Sequence, residues 1–199
     1  MTDQFFEPPT PPPPPPASQA QPGWMKPTFV VGHALPLTFL LARTPRAAVL
    51  VQHLTAFPNG FEFRVVAACR LEGEIWDPMH GLAGFRGRPG QKGGELSDEI
   101  LRFGLQFADG SKVTNLGPPM IGPTDRAQKG PMLMHMGGSG GGEVVEQMYW
   151  VWPLPPPGPL AFVCEWPKFG IELTRHEIDA DLIRKASTEA IELWPGPHE

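Results

Sequence analysis

The chain has 199 residues, 41% hydrophobic and 19% charged, enough for one packed domain and too apolar for wholesale disorder. A net charge of −5 without blocks of like charge argues against nucleic acid, which calls for a clustered cationic footprint. No run reaches the roughly eighteen apolar residues of a spanning helix, and "MTDQFFEPPT" lacks the basic-then-apolar order of a secretory leader.

These features point to a cytoplasmic protein with no membrane partner, whose two cysteines are reduced. The 27 prolines and 23 glycines cannot sit inside helices or central strands, so short elements and long connections are expected. Residues 1–28 hold ten prolines, six of them consecutive at Pro11 to Pro16. That composition predicts a disordered, polyproline-like tail without a core of its own. It suits a solubilising tail or a tether, and it could dock into an aromatic groove of another protein.

From residue 29 the hydrophobic period becomes two. Strands are predicted at 35–42, 47–57 and 61–72, with Asn59-Gly60 as a hairpin turn because both residues tolerate positive φ. In the third strand Phe61, Phe63, Val65, Ala67, Cys69 and Leu71 share one face, and Glu62, Arg64 and Arg70 the other. Residues 73–95 carry seven glycines and read as a loop. Leu101, Phe103, Leu105 and Phe107 then alternate with polar or small residues, Asp109-Gly110 turns the chain, and 113–116 returns. A short strand at "MLMHM", a flexible "GGSGGG" connection, and strands in "EVVEQMYWVW" and "LAFVCEW" follow, the last two read as neighbouring core strands joined by a stiff "PLPPPGP" connector. At the end, "TRHE" fits a capping box at Thr174 and Glu177, opening a helix over about 175–192 with Ile178, Leu182, Ala186 and Ala190 on its apolar stripe. The sum is an all-β domain over 29–199: an antiparallel, immunoglobulin-like β-sandwich of about seven or eight strands with one C-terminal helix.

Candidate chemistry is sparse. "WDPMH" puts Asp77 and His80 three apart, and a metal there would need His53 or His135 from elsewhere, so a solvated loop is the simpler reading. "GGSGGG" leads into a strand and lacks the Gly-Lys-Ser/Thr of a phosphate loop, and Ser139 has no strand-to-helix elbow around it. Cys69 and Cys164 lie on apolar strand faces, where immunoglobulin-like domains can bridge their sheets, and the expected compartment favours packed thiols. Tyr149, Trp150, Trp152 and Trp166 are the candidate ligand-binding residues: flat amphipathic rings can stack on sugars or grip a peptide, although core packing explains most of them. No cofactor is called for.

The blocks "LRFGLQFADG", "GGSGGG", "YWVWPLPPPGPLAFVCEWP" and "GIELTRHEIDA" resemble those of a group of small uncharacterised actinobacterial proteins. The resemblance spans residues 29–194 and implies a bacterial cytoplasmic domain. It brings no activity, cofactor or catalytic residue. The expected function is therefore a non-catalytic module that binds another protein. The alternatives are a small-molecule or glycan binder using exposed aromatics, and a metal-dependent hydrolase.

Overall fold

A computed structural model gives the architecture and describes residues 21–71, 73, 96–117 and 130–194. Two antiparallel sheets, a small ribbon and one α-helix make up these residues, so the chain is all-β. The strands are β1 (Val30–Val31), β2 (His33–Leu35), β3 (Phe39–Arg43), β4 (Ala47–Phe57), β5 (Gly60–Cys69), β6 (Arg102–Gln106), β7 (Lys112–Thr114), β8 (Met132–Gly141), β9 (Val144–Trp152), β10 (Pro159–Trp166), β11 (Ile171–Asp179) and β12 (Ile191–Glu192). A 3-10 turn (Pro167–Phe169) and helix α1 (Ala180–Ser187) flank β11. These twelve strands among the described residues exceed the seven or eight expected, because several are two or three residues long.

The larger sheet has the order β2–β4–β5–β9–β8, with β3 also beside β4. Pro36 has no N–H to offer a ladder, and the single strand expected at 35–42 is split into β2 and β3. Both pieces pair with the same edge of β4, on either side of an irregularity at Gln52–Thr55 where His53 takes φ 55°. The smaller sheet runs β11–β10–β6–β7. Phe63 of β5 meets Phe103 of β6 and Phe162 of β10 at ring-centroid distances of 5.7 and 5.3 Å, so the two sheets share one core. Helix α1 packs on β2 and β4 and buries Ala180, Ile183 and Ala186.

The β4–β5 hairpin forms where expected, but by a different turn. Phe57 pairs with Gly60, so Pro58 and Asn59 are the central residues and neither has positive φ. Gly60 is needed for space: a Cβ there would collide with the Val151 carbonyl oxygen and approach the Trp150 ring at 2.7 Å. The Asp109-Gly110 turn is as expected, with Gly110 at φ 84° and the Asp109 carboxylate accepting from the Ser111 N–H at 2.9 Å.

Four expectations need correcting. The glycine run is no flexible link. It is the second half of β8, with Gly138, Ser139, Gly140 and Gly141 paired to Gln147, Glu146, Val145 and Val144. Side chains are excluded at Gly138 and Gly140 by the backbone of β9, which explains why a strand can be built from glycine here. "YWVW" and "LAFVCEW" are not sheet neighbours, since β9 and β10 belong to different sheets and the proline connector crosses between them. The helix expected over 175–192 is strand β11 as far as Asp179, and only 180–187 is helical. Thr174 caps nothing, its hydroxyl donating to the Glu172 carbonyl oxygen, while Asp179 is the N-cap and accepts from the Asp181 N–H at 2.9 Å. Finally, the domain begins before residue 29. Asn59 Nδ2 donates to the carbonyl oxygens of Gly23 and Met25, and Lys26 pairs with Glu62 at 2.6 Å. Residues 1–20 lie outside the described residues.

Candidate functional site

The aromatic stretch is core. On β9 the residues alternate: Gln147, Tyr149 and Val151 face the shared core, and Met148, Trp150 and Trp152 face away. Tyr149 packs at 5.8 Å from both Phe63 and Phe103, and its hydroxyl donates to Gln147 Oε1 at 2.7 Å. Burial pushes its phenol well above the ordinary range. Trp150 faces outward yet is 0% exposed: its indole N–H donates to the Trp24 carbonyl oxygen at 2.9 Å, and Phe57 meets it edge-on. Trp166 is equally buried, its N–H reaching the Glu99 carbonyl oxygen at 3.1 Å. Only Trp152 is partly exposed. Tyr149, Trp150 and Trp166 therefore present no ring face to an external ligand.

The remaining sequence candidates do not assemble either. Asp77 and His80 lie outside the described residues. His135 is half-buried on β8 opposite Tyr149, and desolvation holds its imidazole below the usual range. Among the described residues, no three His, Cys, Asp or Glu side chains are placed to hold a metal. Cys69 and Cys164 are unpaired, buried thiols. Burial, reinforced by the charge of Glu165, pushes Cys164 up to about 12, and burial raises Cys69 as well. Thiols so protonated are poor nucleophiles.

The feature that stands out is one that strand patterning could not assemble, because its halves lie at opposite ends of the chain. β1 and β12 form a two-stranded ribbon in which Val31 pairs with Ile191 and the Leu193 N–H donates to the Phe29 carbonyl oxygen at 2.9 Å. Residues two apart on a strand, and residues directly opposite, share a face. Phe29, Val31, Ile191 and Leu193 thus lie together on one side, and they are 47, 50, 64 and 48% exposed. Trp194, 61% exposed, meets Phe29 edge-on at 5.1 Å. A ribbon this short is not stable by itself in water, and its apolar face is turned to solvent.

No family model, curated protein or solved structure matches the chain. Function must therefore be argued from surfaces. Besides the ribbon, hollows among the described residues mark them. A shallow one of about 310 Å³ on the outer face of the smaller sheet is lined by Gly104 and its partners Thr114 and Val163, with Leu173 and Arg175. Another, of about 280 Å³, lies at one end of the larger sheet. No helix among the described residues is long and apolar enough to cross a membrane.

Proposed function

We propose that this chain is a non-catalytic, cytoplasmic β-sandwich module that binds another protein, and that the β1–β12 ribbon is the docking face. The reading includes the likeness to the actinobacterial group and keeps the proline-rich N-terminal segment as a tether. One observation carries it: five large apolar side chains, Phe29, Val31, Ile191, Leu193 and Trp194, are exposed on the two paired strands and the residues that flank them. Contiguous apolar surface of this kind on a water-soluble domain marks an interaction site. The partner that fits is a protein with an apolar recess, since the four residues of the ribbon face carry no charge and offer no side-chain hydrogen bond.

The test is a pull-down with the full chain and with the double variant Ile191→Lys/Leu193→Lys. Both side chains are exposed, so the variant should keep its fold. A partner captured by the native chain and lost from the variant is the expected result. A partner retained by both, or none captured by either, overturns the reading.

A small-molecule binder remains the second reading, with the site moved. The buried tryptophans no longer support it, but the hollow at Gly104 does, because a glycine within a strand leaves room for close approach. Gly104 also has a structural reason: a Cβ there would meet the Val113 carbonyl oxygen at 2.5 Å. The protein-binding reading is therefore preferred.

A further inference from the structure

Three strands deliver arginines to one end of the larger sheet. Arg43 closes β3, Arg46 stands one residue before β4, and Arg70 one residue after β5. The register puts Arg43 in a row with Ala48 and Ala68. Beyond that row, the Arg70 N–H donates to the Arg46 carbonyl oxygen at 2.8 Å, which extends the pairing by one residue and sets two arginines opposite each other. Like charges directly opposite destabilise a sheet. Strand pairing alone gives no reason for this arrangement, and the chain as a whole is anionic, with a net charge of −5.

The three arginines line the hollow of about 280 Å³, whose floor includes Ala48 and Ala68, side chains too short to fill it. Arg46 is held with its guanidinium 5.5 Å from the centre of the Phe169 ring. Arg43 and Arg70 are exposed and form no ion pair with any described residue. The one carboxylate in the lining, Glu143, is turned to backbone, its Oε1 accepting from the Leu71 N–H at 3.1 Å. Thr44 adds a hydroxyl that is already engaged with the Phe169 carbonyl oxygen. A merely solvated cationic face would need neither a recess nor the convergence of three strands.

We propose that this hollow binds a small oxyanion group, the phosphate of a phosphoester or a carboxylate, held by Arg43 and Arg70. Guanidinium groups offer planar pairs of N–H donors that match the oxygens of either group. The hollow shares no residue with the β1–β12 ribbon, so the two proposals stand or fall separately.

Calorimetric titration of the full chain with phenyl phosphate and with benzoate tests the site and distinguishes the two sources of the oxyanion. Saturable one-to-one binding of at least one probe is expected. Arg43→Gln and Arg70→Gln should each weaken it by about tenfold or more, the loss expected for one charge-assisted contact. Lys112→Gln, on β7 of the other sheet, should leave it unchanged. Arg43→Lys keeps the charge but loses the fork, and should also bind more weakly than the native chain. Circular dichroism of each variant confirms that the fold is retained. Failure of both probes to saturate, or equal weakening by Lys112→Gln, overturns the proposal.

Discussion

Single positions in this domain are governed by how little room the strands leave and by how completely water is excluded. Gly60 is glycine because β9 passes too close for a Cβ, and not because the turn demands positive φ. Cys164 shows the electrostatic side of the same crowding. Its thiol is 1% exposed and is pushed up to about 12 from an ordinary 9.0, chiefly by burial. Above the ordinary value the unfolded chain loses this proton while the folded chain keeps it. Unfolding then releases a proton, so stability must fall as pH rises, by about 1.4 kcal/mol per pH unit for one such group. Tyr149 and Cys69 shift in the same direction and steepen the fall. Urea titrations between about pH 9 and pH 11 should show this loss, and Cys164→Ala, though less stable at neutral pH, should lose stability less steeply. Equal slopes would show that Cys164 is not responsible.

At the scale of elements, alternation was legible wherever one face is buried and the other is wet. β4, β5 and the core face of β9 follow from the sequence, because every second residue enters one continuous core. The strand-to-helix boundary was not legible. Thr174, His176 and Ile178 face inward on β11 while Leu173, Arg175 and Glu177 face out, and the same letters also satisfy a capping box and a helical stripe. Pairing along the edge of β10, the strand just before it, decides in favour of the strand, and the letters of 171–179 taken alone do not carry that contact. Even within α1 the stripe is rotated, with Ile183 buried and Leu182 47% exposed. The candidate site was less legible still, since ring type suggests stacking while burial depends on what covers each ring. Asn115 was missed for a similar reason. Its Nδ2 donates to the Leu101 carbonyl oxygen and its Oδ1 accepts from the Phe103 N–H, both at 2.8 Å, so one buried amide ties down the start of β6. Asn115→Asp keeps the acceptor and loses the donor, and it should destabilise by about 2–3 kcal/mol at neutral pH. Protonating the new carboxyl restores a donor, so the deficit in urea midpoint should shrink at about pH 4. An unchanged deficit would sink the clamp.

For the whole molecule, the decisive question is where the domain begins, because it determines which truncations can test binding at all. Composition places the boundary after residue 28, yet residues 21–28 are bonded to the β4–β5 hairpin and to β9. Trp24 supplies the carbonyl oxygen for the buried Trp150 indole, and Lys26 lies 4.8 Å from the centre of the Phe57 ring while paired with Glu62. The partly buried ion pair is worth on the order of 1 kcal/mol. Uncovering Trp150 is worth more, of the order of 2–3 kcal/mol for a large buried side chain. At roughly 2–4 °C per kcal/mol for a domain of this size, a chain starting at residue 29 should melt about 5–10 °C below one starting at residue 21. Its tryptophan emission should also shift to the red as Trp150 meets water. Identical melting and emission would show that residues 21–28 are dispensable. If the shift is seen, loss of a partner on cutting at residue 29 reports damage to the domain, and only a cut before residue 21 measures what the proline-rich segment contributes to binding.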